Sequence, residues 1–285
     1  MELSQFEAIF LWEYLHRLLG RLVGVVFALP FLYFLVRGRL RGRAAGLTLV
    51  AFLLGGAQGL LGWYMVASGL VDVPEVSHYR LAAHLTLAFV TGMYALWLVL
   101  ELRPAPSPAP PPASGRFRTA LGATLGLMLL QIVYGAFMAG TRAGHVSATW
   151  PDMNGHYGPG PFFRGDSVLD DLLTSPAAIH WTHRTLAYLL VIAIASCLAL
   201  AWREGPRVRR AAGVLAGAVL VQLALGVGVV LASVPIWLAV THQAGAYLLL
   251  AVGTWLAWEA GLLPRGVIAP SPEAEAAQRE ARTGA

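Results

Sequence analysis

The sequence predicts an all-α membrane protein, a bundle of apolar helices arranged in two related halves. Of the 285 residues, 57% are hydrophobic and 12% are charged, whereas soluble domains average roughly 45–50% and about 25%. The mean hydropathy is +0.64, and seven apolar stretches reach the roughly 20 residues that a bilayer crossing needs. This composition excludes an ordinary soluble enzyme. The predicted spans are 14–36, 44–67, 81–100, 119–140, 179–201, 211–232 and 236–258.

The arginines predict which side of the membrane each loop faces. All twenty basic residues are arginine, and eleven of them lie in loops 37–43, 101–118 and 202–210 beside the spans. Because cytoplasmic loops hold the excess of positive charge, these three loops should be cytoplasmic. The N-terminus then lies on the external side, and the C-terminus on the cytoplasmic side, of a bacterial cell membrane. The basic charge needs no nucleic-acid partner to explain it.

The two halves of the chain resemble each other. We predict an N-terminal half-bundle at 1–103, a proline-rich cytoplasmic linker at 104–118, a C-terminal four-helix half-bundle at 119–258 and a cytoplasmic tail at 259–285. Since the first half has only three spans, the repeat predicts a natural fold of four plus four helices whose first helix is missing before Met1. The matching pairs are Glu13-x-x-His16-Arg17 with His180-x-x-His183-Arg184, His84 and Phe89 with His242 and Tyr247, and Gln-x3-Gly at 58–62, 131–135 and 222–226.

Four histidines lie at a similar depth, each within about two turns of the external end of a different span. Ionisable side chains inside a membrane are costly and usually serve a function. Two imidazoles on facing helices can supply both axial ligands of a haem iron, so the residues favour two bis-histidine haem sites. A proton or ion relay and purely structural histidines remain as alternatives. The paired histidines are His16 with His84 and His183 with His242.

Charged residues accompany these histidines. Glu13 stands one turn before His16 and therefore faces the same side of the helix. A carboxylate there can accept a proton or orient water; alternatively, it is an interfacial residue paired with Arg17 or Arg21. Guanidinium groups near the histidines can pair with haem propionates. The arginines within reach of the external end are Arg17, Arg21, Arg80, Arg142 and Arg184.

The helix that carries Glu13 and His16 resembles one in a known family. It is similar to the Glu-x-x-His-Arg helix of the haem A synthases, the CtaA-type enzymes of bacteria and mitochondria. Other segments follow in the order that this family shows, and the similarity extends over nearly the whole chain, to about residue 258. The matching segments are 10–21, 80–84, 140–155, 179–188 and 241–243.

The resemblance implies that the protein oxidises the C8 methyl of haem O to a formyl group, giving haem A for cytochrome oxidase. It implies that His16 and His84 hold the substrate or product haem, with Glu13 as a base beside it, and that His183 and His242 hold a haem b cofactor. Water supplies the oxygen in successive two-electron oxidations, and electrons leave through haem b. Compatible partners are haem O synthase, assembly factors of cytochrome oxidase, membrane lipid and a second copy of the chain.

Two other functions stay open from the residues. A bis-histidine di-haem electron carrier of the cytochrome b type would use the same histidines and modify nothing. A transporter can also be built on such a repeat, although the spans contain no charge pair at mid-membrane depth. Glu13 separates the synthase from the carrier, because only the synthase needs its carboxylate.

Overall fold

Seven long helices and one short helix form the protein in its computed structural model, which describes residues 3–67, 76–102, 111–163, 165 and 167–265. Within these residues, seven helices are long and apolar enough to cross a membrane and no strand is formed. The predicted all-α, multi-pass membrane fold is therefore confirmed. The helices are α1 (Leu3–Val36), α2 (Gly42–Val66), α3 (His78–Glu101), α4 (Gly115–Gly140), α5 (Val168–Thr174), α6 (Pro176–Ala201), α7 (Pro206–Leu231) and α8 (Ile236–Glu259).

The helices match the predicted spans with two differences. Helix α1 begins at Leu3 rather than near residue 14, because neither glycine nor proline interrupts its first turns. Helix α5 is absent from the prediction, since seven residues cannot span a membrane and its first turn carries Asp170 and Asp171. These acidic residues suit the positive end of the helix dipole, so a polar sequence forms a short helix between two spans.

Parts of the predicted linker and tail, 103–110 and 266–285, lie outside the described residues. The end of the linker is fastened to the C-terminal half, because the Ser114 hydroxyl donates a hydrogen bond to a carboxylate oxygen of Glu204 in the α6–α7 loop. The same hydroxyl accepts from the backbone N–H of Phe117 at 3.3 Å and so caps α4.

The C-terminal half holds most of the closely packed core. Helix α6 packs between α4 and α7, and side chains such as Phe117, Leu215 and Leu256 are fully buried. Helix α1 is the equivalent of α6 in the sequence repeat. It packs mainly on α2. Its contact there is made by Phe31, whose ring lies 5.5 Å from that of Phe52. Most other apolar side chains of α1 are exposed, which suits a surface covered by lipid.

The two halves meet through α3, which packs on both α4 and α8. Across the second of these contacts, the rings of Phe89 and Tyr247 meet edge to face with their centroids 5.3 Å apart. These two residues are equivalents in the sequence repeat. The contact between the halves is therefore made in part by residues that match in the repeat.

Candidate functional site

The four histidines predicted from the repeat lie at one depth of the bundle. His84, His183 and His242 each follow the first residue of their helix by about two turns. His16 lies equally far from Phe10, where the apolar span of α1 begins. Since α1, α3, α6 and α8 start at the same end of the bundle, all four imidazoles belong to one layer of the protein.

His183 is framed by two residues of the neighbouring helix α4. The amide nitrogen of Gln131 donates to the backbone carbonyl of His183 at 3.1 Å and lies 3.3 Å from the ring nitrogen Nε2. One turn further along α4, Gly135 faces the ring, and a Cβ added there would lie 3.4 Å from its Cε1. The glutamine therefore holds the backbone and ring of the histidine, while the glycine leaves room for the imidazole.

The same frame recurs around His242, on the next pair of helices. Gln222 of α7 donates to the backbone carbonyl of His242 at 2.9 Å, and its amide nitrogen lies 3.2 Å from the ring nitrogen Nδ1. Gly226 faces the ring, where an added Cβ would come within 2.9 Å of Cε1. The sequence indicates close helix approach at the Gln-x3-Gly pattern, but it does not indicate that the glutamine contacts a histidine.

A third copy of the frame surrounds His84 in the N-terminal half. Gln58 of α2 donates to the backbone carbonyl of His84 at 3.1 Å and lies 3.4 Å from its Nε2. A Cβ on Gly62 would lie 2.9 Å from Cε1 of the ring. Three of the four histidines are thus held by the same two residue types at the same spacing.

A cavity of about 530 Å³ lies between the helices of the C-terminal half, and both His183 and His242 line it. Both imidazoles therefore border the same space. Helix α3 contributes Leu85 and Phe89 to an otherwise largely apolar wall. The predicted C-terminal histidine pair is therefore brought together around one enclosed space.

The opening of this cavity is cationic and is shaped by the α4–α5 loop, residues 141–167. Arg142, His145 and Arg184 line the cavity at this end. Arg142 adopts a left-handed backbone conformation with φ of 53°, which turns the chain directly after α4. From the sequence, His145 is expected to be an ordinary loop histidine. Helical periodicity cannot show whether a residue outside the spans faces a cavity.

Arg184 holds the α4–α5 loop against α6. Its two terminal nitrogens donate to the backbone carbonyls of Asp152 and Thr149, both at 2.8 Å. Its Nε donates to Nε2 of His180 at 3.0 Å, and His180 is completely buried. Arg184 therefore both lines the cavity and fixes the loop that covers one end of it.

The N-terminal pair is more open. His16 is exposed and His84 is half-buried. Glu13 forms an ion pair with Arg17, with Oε2 and Nη2 2.9 Å apart, and the two side chains are 56% and 52% exposed. Between the two partners that the sequence allows for Glu13, the structure selects Arg17. Arg21, one turn further along α1, is exposed.

Arg80 has a different contact from the one expected beside a haem. Its guanidinium lies 3.8 Å above the ring of Tyr64 and donates to the backbone carbonyl of Tyr64 at 2.9 Å. Arg80 therefore joins α3 to the end of α2. In the C-terminal half, the matching position before His242 is occupied by Leu238, so this contact belongs to the N-terminal half alone.

The C-terminal cavity suits a haem with two axial histidines. Its volume lies within the roughly 300–1,000 Å³ of typical cofactor pockets, and its walls are largely apolar. The Nδ1 atom of His183 is buried and has no hydrogen-bond partner among the described residues, which leaves that ring with an unused nitrogen. Arg142 and Arg184 line the cavity, and their guanidinium groups can pair with the propionates through charge-assisted hydrogen bonds.

Comparisons with known proteins agree on one family. The model of a family described as cytochrome oxidase assembly protein, COX15-CtaA, matches residues 1–254. A protein named Heme A synthase from Maricaulis maris is 44% identical over 262 residues, which cover 91% of this chain and 76% of that protein. One of the same name from Rhodospirillum centenum is 45% identical over 259 residues, 90% of this chain and 68% of that protein. Another from Flavobacterium psychrophilum is 37% identical, over 89% of this chain and 75% of that protein.

Proposed function

Because the chain belongs to the COX15-CtaA family of cytochrome oxidase assembly proteins, we propose that it is a haem A synthase, an oxidoreductase that converts haem O to haem A. The observation that carries the proposal is the pairing of histidines in both halves, combined with a carboxylate in only one of them. Glu13 and His180 occupy equivalent positions, so the two sites share a frame but differ in their capacity to accept a proton.

The C-terminal pair is the better place for a resident haem b. His183 and His242 would hold its iron, and Arg142 and Arg184 would pair with its propionates. This group supplies reversible one-electron transfer, because an iron with two histidine ligands has no open position for oxygen. Helices α6, α7 and α8 close the cavity from the sides, while Arg184 holds the α4–α5 loop over one end.

The N-terminal pair would bind the substrate. His16 and His84 would hold the haem O iron, with Glu13 one turn before His16 on the same helix. The exposure of α1 leaves a lateral opening for the long isoprenoid tail of haem O. A substrate has to enter and its product has to leave, and the more open half suits that requirement.

The reaction requires proton removal at every step. Converting the methyl group to hydroxymethyl consumes one water and releases two electrons and two protons; a second oxidation of the same kind gives the hydrated aldehyde. Loss of water then yields the formyl group. The Glu13 carboxylate would accept a proton from the attacking water, and Arg17 would hold that carboxylate in place. A haem held by His183 and His242 would supply the one-electron transfer by which these electrons pass to an external oxidant.

The proposal also assigns orientation and partners. The layer of histidines would lie near the external face, and the C-terminus would be cytoplasmic, as the arginine-rich loops predict. Haem O synthase would supply the substrate of such an enzyme, and assembly factors of cytochrome oxidase would receive its product.

Chromatography of haems extracted from membranes that contain this chain and a source of haem O tests the proposal. We expect haem A from the wild type and none from Glu13→Gln, which keeps the size of the side chain and a hydrogen bond to Arg17 but cannot accept a proton. The matched control is Asp170→Asn, which neutralises an exposed carboxylate of α5 and should leave haem A formation unchanged.

The same experiment separates the synthase from an electron carrier. Bound haem b together with unaltered haem O in the wild type would favour the cytochrome b-type carrier, which the two histidine pairs also suit. Haem A at the normal rate from Glu13→Gln would leave the synthase standing but remove Glu13 from its mechanism.

A further inference from the structure

The three glutamines that frame the histidines have a role beyond helix packing. We propose that Gln58, Gln131 and Gln222 are positioning residues that accept the free N–H of the iron-bound imidazoles and thereby set the redox potential of the haem. The inference rests on the proposed haem sites and assigns to them a set of residues on the neighbouring helices.

The first observation is an unused acceptor that occurs three times. In each frame, the amide nitrogen of the glutamine donates to the backbone carbonyl of the histidine and lies close to a nitrogen of its ring. The amide oxygen Oε1 of all three glutamines is buried and has no hydrogen-bond partner among the described residues. A buried polar atom without a partner destabilises a protein, so its occurrence at three equivalent positions indicates a use that appears only when a ligand is bound.

The second observation is the direction of the rings. In His242, the nitrogen that faces the glutamine is Nδ1, which leaves Nε2 for a metal. In His84 and His183, the nitrogen that faces the glutamine is Nε2, and Nδ1 is buried without a partner in the described part of the protein. Every framed ring therefore has one nitrogen at the glutamine amide and one nitrogen free.

These two observations fit together when iron binds. An amide NH2 group can donate to a ring nitrogen only if that nitrogen has no proton, so the proton of the neutral imidazole sits on the free nitrogen. Iron binding at the free nitrogen displaces this proton, and a neutral imidazole must then carry it on the nitrogen that faces the glutamine. Rotation of the amide about its terminal bond brings Oε1 to this new N–H, while the amide nitrogen gives up its hydrogen bond to the backbone carbonyl of the histidine. The unused acceptor then gains a donor.

An acceptor at the free N–H has a known effect on a metal-bound histidine. It fixes the tautomer and the ring orientation, and it makes the imidazole a stronger donor to the metal. A stronger donor stabilises the ferric state and lowers the reduction potential of the haem. Because the acceptor lies on a neighbouring helix in each case, the spacing between the two helices contributes to the potential.

The test is a redox titration of haem b in the purified, haem-loaded protein. Gln222→Leu removes the acceptor, and we expect it to raise the potential, with about a tenfold change in the ferric-to-ferrous ratio at a fixed ambient potential, which is about 59 mV for one electron. Gln222→Glu provides a stronger acceptor of nearly the same size and should lower the potential. The matched control is Gln58→Leu, which removes the same contact in the other half and should leave the potential of the C-terminal haem unchanged.

The outcomes distinguish this inference from the proposed function. If the wild type binds no haem with two histidine ligands, the proposed haem sites fail and the inference fails with them. If the wild type binds haem b but both Gln222 variants keep its potential, or both shift it in the same direction, only the inference is overturned. Should Gln222→Leu fold poorly, Gln222→Glu decides alone, since a potential that stays unchanged or rises contradicts the role of the glutamine.

Discussion

A single methyl group added beside His242 tests whether this imidazole is a haem ligand in the position that the structure gives it. In Gly226→Ala, the new Cβ would lie 2.9 Å from Cε1 of the ring and 3.5 Å from Nδ1. Carbon atoms in contact are about 3.5–4.0 Å apart, so the ring must move away from α7 by roughly 0.6 Å or more. A ligand site tolerates displacements of only about 0.5 Å. We therefore expect haem b binding to weaken by about 10- to 100-fold.

The assay is the amount of haem b per purified protein, together with the position of its main absorption band. Gly217→Ala is the matched control on the same helix, because nothing lies within 4 Å of the added Cβ. Both substitutions gain the roughly 1 kcal/mol by which alanine exceeds glycine in helix propensity, so a difference between them reports the ring contact. Gly135→Ala, whose Cβ would lie 3.4 Å from His183, should keep most of its haem. Full haem binding by Gly226→Ala would refute the assignment of His242.

Three further substitutions test the contacts that shape the site. Arg184→Leu removes three hydrogen bonds from a charged donor and should lower the free energy of unfolding by at least about 3 kcal/mol; limited proteolysis should then cut the α4–α5 loop faster. His78→Leu removes the 2.9 Å hydrogen bond to the carbonyl of Leu173, so hydrogen exchange in α5 should accelerate while that in α6 stays the same. Tyr247→Leu removes the edge contact with Phe89 and should lower the thermal midpoint in detergent, by the equivalent of about 1 kcal/mol; an unchanged midpoint would show that this contact does not hold the halves together.

The number and depth of the helices follow from the sequence because the membrane limits the choices. A span must satisfy its backbone hydrogen bonds internally, so an apolar stretch of sufficient length becomes a helix. A fixed rise per residue then places His16 and His84 at the same depth as their equivalents in the second half. Helix α5 could not be predicted in this way, because it lies between spans and its polar sequence is also compatible with a loop.

The directions of side chains could not be predicted in the same way. Spacing along α1 allows Glu13 to reach Arg17, one turn away, and leaves Arg21 as an alternative partner; the observed pair depends on rotamers that the neighbouring surface selects. Arg80 stands one turn before His84, yet it turns to the ring of Tyr64. The Gln-x3-Gly pattern is visible in the sequence, but its contact with a histidine of a neighbouring helix depends on how the two helices rotate against each other.

The proposed function gives the two halves different purposes, which their structural differences suit. In both, the arginine that follows the first histidine of the pair reaches back one turn, from Arg17 to Glu13 and from Arg184 to His180. In the C-terminal half this pair is held by the α4–α5 loop, and His180 is completely buried. In the N-terminal half the equivalent pair, Arg17 and Glu13, is ionic and about half exposed. A cofactor that stays bound favours the first arrangement, because closing the site costs nothing in turnover. A substrate that must exchange and lose protons favours the second, because the carboxylate needs contact with water.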